Sequence, residues 1–302
     1  MKLVNNRYKI INRLKQNKMF SSYLVSDMWN ESKKMQLNIL NFDSIPSSLI
    51  DFFSEEFIGL INLDSKNILK DYYFNRVSYI NNKKNTEEQY FYTCEYIKNP
   101  ISLLEFIDDM TFTEVMDVFI EICKAVNYLH LNGYTYGHLN LNNIFIEKNN
   151  GDYTLKLKDI ATVELEKNCF IYDKDNSYFK YPKNSIDKPN RESDIYSLGV
   201  LLLIMLKKQY CNLKPKDELD NFKKELENNS TTFNSDEINH INKLLSIIDK
   251  AITIDEPYPY EYIYDMVKDI NDSLNKDYKI VDKKELEKLN FHTKLIGREN
   301  EI

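Results

Sequence analysis

The sequence predicts an α+β fold in which a strand-rich first third gives way to a mainly helical remainder. Three observations carry that expectation. Short runs rich in β-branched and aromatic residues recur before residue 97. Apolar residues then repeat at helical spacing from Val115 to Leu129. Beyond residue 193, helical patterns dominate.

Taken in order, residues 8–25 and 34–40 read as short strands. Residues 47–63 read as a helix with an apolar stripe of Leu49, Phe52, Phe53, Phe57, Leu60 and Ile61. Residues 72–80 and 88–96 read as two strands joined by the polar turn at 81–85. Thr111 precedes Glu114 by three, which is a capping-box spacing, and the helix that follows should stop near Gly133. Residues 144–146 and 153–158 suit a hairpin across Asn149-Asn150-Gly151, with Leu155 and Leu157 inside and Lys156 and Lys158 in water. An almost wholly apolar helix over 194–206 belongs in the middle of a large domain, and helices over 238–251 and 262–274 follow. A charged helical stretch is expected over 281–289.

With 302 residues at 42% hydrophobic, the chain can bury a sizeable core. A net charge of -7 argues against a broad nucleic-acid or anionic-membrane surface, and the 40 basic residues are spread throughout. Cys94, Cys123, Cys169 and Cys211 lack C-x-x-C spacing and read as reduced thiols of a cytoplasmic protein. The first residues show no signal-peptide core, and the apolar run at 198–206 is too short to span a bilayer. Of the six glycines, none lies before Gly59.

The octamer Tyr136-Gly137-His138-Leu139-Asn140-Leu141-Asn142-Asn143 resembles the catalytic loop H-R-D-L-x-x-x-N of the eukaryotic-type Ser/Thr protein-kinase family. Other landmarks of that family follow in order, and the resemblance extends over roughly nine-tenths of the chain. It implies a bilobal kinase-like fold: a small β-rich N-lobe over 1–96, a larger mainly helical C-lobe over 97–277, and a tail or linker over 278–302.

Most landmarks that do chemistry are altered. The glycine-rich phosphate loop would fall on residues 14–21, which contain no glycine, so close approach of backbone to phosphate is not provided for. Asn38 stands where the strand lysine belongs, and a neutral amide cannot supply its charge. The helix glutamate aligns with Glu56. Cys94, Glu95 and Tyr96 resemble the hinge, with Cys94 as gatekeeper. They either frame an adenine-sized slot or simply connect the lobes. His138 occupies the place of the catalytic aspartate, and a structural histidine is the preferred reading over a general base. Asn143 and Asp159 match the two metal ligands and are the only pair left that could hold Mg²⁺.

Among the architectural landmarks, Tyr181-Pro182-Lys183 replaces A-P-E, and the region 255–260 lacks the arginine that would pair with its glutamate. By contrast, residues 193–200 closely match the D-x-x-S-x-G helix start, with Asp194 as the residue that braces the catalytic loop. Thr162 and Ser177 lie in the short activation segment. Residues 297–301 resemble the opening of ATPase regions in large bacterial regulators.

These substitutions point to a pseudokinase that acts in signalling as a regulatory module, with no cofactor expected. Its partner would be another protein or a downstream domain of the same polypeptide, not nucleic acid or membrane. Two rivals stay open. One is an unorthodox active kinase using Lys15 or Lys18 with His138 as base. The other is a non-catalytic nucleotide sensor that binds ATP through the hinge and Asp159.

Overall fold

The computed structural model describes residues 3–16, 20–41, 47–137, 139–149, 152–158, 160, 179, 182, 190–209, 211, 213–228, 233–253 and 260–282, with backbone alone at 47–49, 52, 56, 147–149, 152 and 153. Two compact units are present. One is drawn from Met1–Phe106 with Leu141–Ser177, the other from Ile107–Asn140 with Tyr178–Ile302.

The first unit is built on a sheet of strands β1 (Leu3–Val4), β2 (Tyr8–Gln16), β3 (Phe20–Asp27), β4 (Lys33–Leu40), β5 (Asp71–Arg76), β6 (Tyr79–Ile80), β7 (Lys83–Lys84) and β8 (Tyr90–Glu95). Their order is β5-β8-β4-β3-β2-β1-β6-β7. Alternation divides the side chains between two faces. Val25, Met35, Leu37 and Phe91 join Val4, Tyr8 and Val77 in one core. The opposite face meets helix α1 (Ser47–Leu60), whose Phe53 and Phe57 pack against Phe74 and Tyr92 with ring centroids 5.1–5.9 Å apart. Phe20, at the start of β3, meets Tyr92 edge-on at 6.3 Å. Rings at these separations contribute about 0.5–1.5 kcal/mol per pair beyond their burial. A second sheet, β9 (Ile101–Ser102), β10 (Ile144–Asn149) and β11 (Asp152–Leu157), follows with the short helix α2 (Leu103–Phe106).

The strand expected over residues 72–80 is two strands with different neighbours. β5 pairs with β8, whereas β6 pairs with β1 and β7. The side chain of Asn5 explains the break: its Oδ1 accepts from Ser78 N and Tyr79 N at 2.7 and 3.0 Å, and its Nδ2 donates to Arg76 O. Asn81 and Asn82, both at positive φ, close the β6–β7 hairpin, as asparagine does with little strain. Lys156 also departs from expectation. It is not in water but pairs with Glu95, with its side chain only 12% exposed.

In the second unit, helix α3 (Phe112–Leu131) begins with the capping box of Thr111 and Glu114 and ends before Gly133, at φ 85°. Helix α4 (Arg191–Lys207) is buried from Ser193 to Leu206, so its apolar surface has core on every side. Helices α6 (Ser235–Ile252) and α7 (Ile263–Leu274) cover it and α3. Gly199 permits the closest approach: a Cβ there would lie 2.7 Å from Ala251 Cβ and 2.9 Å from Ile252 Cγ2. Helix α5 (Pro215–Glu227) is absent from the sequence reading, although Pro215 at its first turn and Leu219, Phe222 and Leu226 at helical spacing announce it.

Between α4 and α5, Lys207 and Glu218 form a buried ion pair, and Glu218 also accepts from Leu213 N at 3.0 Å. Burial, with Glu218 nearby, pushes the Cys211 thiol up to about 12. At the end of the described chain, Asn271 binds Tyr278 through both its N–H and C=O, and Asn127 Nδ2 donates to Val281 O at 2.9 Å. Val281 is therefore held against α3, and Val281 and Asp282 are both irregular. The helix expected from residue 281 does not begin there, and residues 283–289 lie outside the described set.

Two stability predictions follow from this unit. Gly199→Ala should cost about 1–3 kcal/mol in urea unfolding, because α6 must move away from α4. Lys207→Met alone should cost about 3–5 kcal/mol by stranding Glu218, while Lys207→Met with Glu218→Leu should recover most of that loss.

Candidate functional site

Asn38 lies in the middle of β4 with no exposed surface. Register puts Ser22 of β3 on one side of it and Tyr92 of β8 on the other. Cross-strand neighbours share a face, so Asn38 points toward α1 and its aromatic rings. Its carboxamide is fully engaged within the sheet. Oδ1 accepts from Ser22 Oγ at 2.5 Å and from Gln36 Nε2 at 2.9 Å, and Nδ2 donates to Cys94 Sγ at 3.7 Å. All three partners are uncharged. Each satisfied buried bond contributes about 1 kcal/mol, and losing one member costs more because its partners stay desolvated.

This set does not fit a phosphate group. A phosphate oxygen is best met by a cation or by convergent N–H groups, and Asn38 brings no charge, with its Nδ2 directed at Cys94 Sγ. Phe20, buried at the start of β3, packs edge-on against Tyr92 of the same group. The hairpin pairs as far as Gln16 with Ser21, through two bulges, and residues 17–19 lie outside the described set.

The hinge residues sit at the end of β8. Cys94 is buried, while Glu95 and Tyr96 are half-buried. Glu95 is committed: Lys156 Nζ of β11 lies 2.8 Å from its Oε2, and its N–H donates to Lys70 O at 2.8 Å. Lys70 in turn donates from Nζ to Ile61 O and Leu63 O, capping the end of α1. A chain of polar contacts thus runs from α1 through the hinge acid to β11.

The loop that resembles the catalytic segment is braced from below. Asp194, 1% exposed, accepts from Tyr136 N at 2.8 Å and Gly137 N at 2.7 Å, and His130 Nε2 lies 2.8 Å from its Oδ2. Gly137 adopts φ 66°, a conformation that costs glycine little and a side-chain-bearing residue more. Asn143 is buried in the turn before β10, and its C=O accepts from Lys158 N at 3.1 Å.

The sequence-derived candidates therefore fall into three groups. Asn38 and Cys94 meet directly, and Glu95 adjoins them. Tyr96 follows Glu95 in the chain, and Asn143 lies in the turn before β10. His138, Asp159, Lys18, Thr162, Ser177, Tyr181, Lys183 and residues 255–259 lie outside the described set, as does the side chain of Glu56, whose backbone belongs to α1. Among the described residues, no cluster of three His, Cys, Asp or Glu could hold a metal. Sequence reasoning missed Ser22, Gln36, Lys70, Lys156 and His130. Only the i, i+2 spacing of Gln36 and Asn38 on one strand face was available as a signal.

The brace yields a direct prediction. Asp194→Ala should destabilise the chain by about 3 kcal/mol in denaturant unfolding, since two backbone N–H groups lose a buried acceptor. Asp194→Asn, which keeps one acceptor oxygen, should cost less.

Comparison with known proteins agrees with this skeleton. Residues 30–258 match the protein kinase domain model. A stretch of 115 residues is 30% identical to the serine/threonine-protein kinase Nek1 of Mus musculus, covering 36% of this chain and 9% of that protein. Another of 93 residues is 30% identical to the membrane-associated tyrosine- and threonine-specific cdc2-inhibitory kinase wee-1.3 of Caenorhabditis elegans, covering 30% of this chain and 13% of that one. The crystal structure of the Mycobacterium tuberculosis PknI kinase domain is similar at a TM-score of 0.62 and 13% identity, covering 90% of this chain and 97% of that chain. That likeness shows the kinase-like fold, with its sheet-based first lobe and helical second lobe. With the family model covering most of its length and the aspartate brace in place, the chain belongs to the protein kinase domain family.

Proposed function

We propose that this chain is a catalytically inactive kinase-type module that works in signalling by binding another protein or a downstream domain of its own polypeptide. The observation that carries this reading is the buried, uncharged hydrogen-bond set of Asn38, at the position where kinases hold the nucleotide phosphates with lysine. Kinase domains generally use ATP with Mg²⁺. Here the neutral amide, the glycine-free loop at 14–21 and His138 in place of an acid each weaken that use. Asn143 and Asp159 are vestiges of a metal site in this reading.

The reading takes 1–96 and 97–277 as the two lobes and 278–302 as the linker to the partner domain. The anchoring of Val281 on α3 by Asn127 gives that linker a fixed point of departure. The run Gly297-Arg298-Glu299-Asn300-Glu301 favours an ATPase region of a cytoplasmic bacterial regulator as the downstream partner. Among the described residues no helix is long and apolar enough to cross a membrane.

Two measurements test the proposal together. Thermal unfolding with ATP at millimolar concentration, with Mg²⁺ or Mn²⁺, should leave Tm unchanged, because only a ligand that binds the folded state raises it. Transfer of labelled γ-phosphate to the chain itself or to a generic substrate should stay at background. Incorporation that disappears in Asp159→Ala would refute inactivity. A rise in Tm without incorporation would assign the chain to nucleotide sensing instead.

A further inference from the structure

The outer edge of β2 is open over most of its length. β1 pairs only with Tyr8 and Lys9, and among the described residues no strand pairs with that edge from Ile10 to Gln16. The inner edge, by contrast, is held by β3 as far as Gln16. Residues 11–16 are exposed without interruption, with Ile11 at 49% and Leu14 at 38%. An open strand edge offers a row of unpaired N–H and C=O groups, which is a template for an added strand.

The chemistry of the edge selects the partner. Although the chain carries a net charge of -7, its first 41 residues hold eight Lys or Arg against two acids. Arg7 is spent on Asp27, to which it donates two bonds at 2.7 and 2.8 Å, and Lys33 donates to Tyr72 Oη at 3.0 Å. Arg13 and Lys15, on the open edge itself, form no ion pair among the described residues. The two bulges fall at Ile11 and Leu14, which are the exposed apolar residues beside those cations. Charge disfavours a second copy of the same edge, since like charges would face each other across the new pair. An acidic strand with apolar residues between its carboxylates meets both the cations and the exposed Ile11 and Leu14.

We infer that the outer edge of β2, from Ile11 to Gln16, docks an extended acidic peptide segment by strand addition. This goes beyond the proposed function by naming a face and a partner chemistry, and it holds or fails independently of nucleotide binding. The test is fluorescence anisotropy with a labelled peptide alternating Glu and Val, run beside a Lys–Val counterpart and a Glu–Val analogue N-methylated at alternate amides. The Glu–Val peptide should bind saturably. Arg13→Glu with Lys15→Glu should weaken it about tenfold or more, equivalent to about 1.4 kcal/mol, with an unchanged thermal melt because both side chains are exposed. The Lys–Val and N-methylated peptides should not bind. Equal binding of the Lys–Val peptide, unchanged affinity in the charge-reversed variant, full affinity of the N-methylated analogue or no saturable binding would each overturn the inference. So would self-association in sedimentation that the charge reversal abolishes, which would give the edge to a second copy.

Discussion

A buried carboxamide with every polar atom engaged sets the chemistry of the first unit. Asn38 is sealed between β3 and β8 and roofed by the aromatic rings that α1 brings to the sheet. In so dry a place a neutral amide is comfortable if it is hydrogen-bonded, and Ser22, Gln36 and Cys94 see to that. An ammonium group in the same spot would need a counter-charge to offset several kcal/mol of desolvation. Its three hydrogen-bond partners offer none. The substitution is thus not an isolated change of one side chain but part of a neutral, mutually satisfied group.

The second unit is built around a buried charge. The aspartate brace is complete, and its geometry needs no compensation: two backbone N–H groups and one imidazole meet one buried carboxylate. Gly137 relaxes the backbone at the point where the loop turns through positive φ. α4 remains a wholly buried axis on which α3 and α6 pack. The aspartate brace that supports the loop is charged and complete, whereas the buried position at Asn38 is neutral.

How much of this could be read from the sequence follows physical lines. Strongly periodic stretches were legible: the capping box at Thr111, the apolar axis at 194–206 and the alternation at Leu155 and Leu157 all reappear in the structure. The amphipathic α5 was overlooked because its charged residues outnumber its apolar stripe. The division of residues 72–80 depends on Asn5, more than 70 positions away, and no local pattern can announce that. The burial of Lys156 has the same origin, since its partner Glu95 lies 61 residues earlier. At the site, the motif spacing located Asn38 and Cys94, yet their direct contact emerges only once β4 and β8 are in register. Ser22 needs the register of β3 with β4 in the same way, whereas Gln36 was signalled by its i, i+2 spacing from Asn38 alone.

The most direct measurement is a heteronuclear NMR spectrum of protein labelled with ¹⁵N at asparagine, in which the Asn38 side-chain NH₂ pair is assigned by its loss in Asn38→Asp. A sealed amide should show slow hydrogen exchange and no chemical-shift change on titration with ATP and Mg²⁺ to millimolar levels. Rapid exchange, or a saturable shift of that pair with nucleotide, would mean that the pocket opens to phosphate and that the neutral group around Asn38 is not the constraint described.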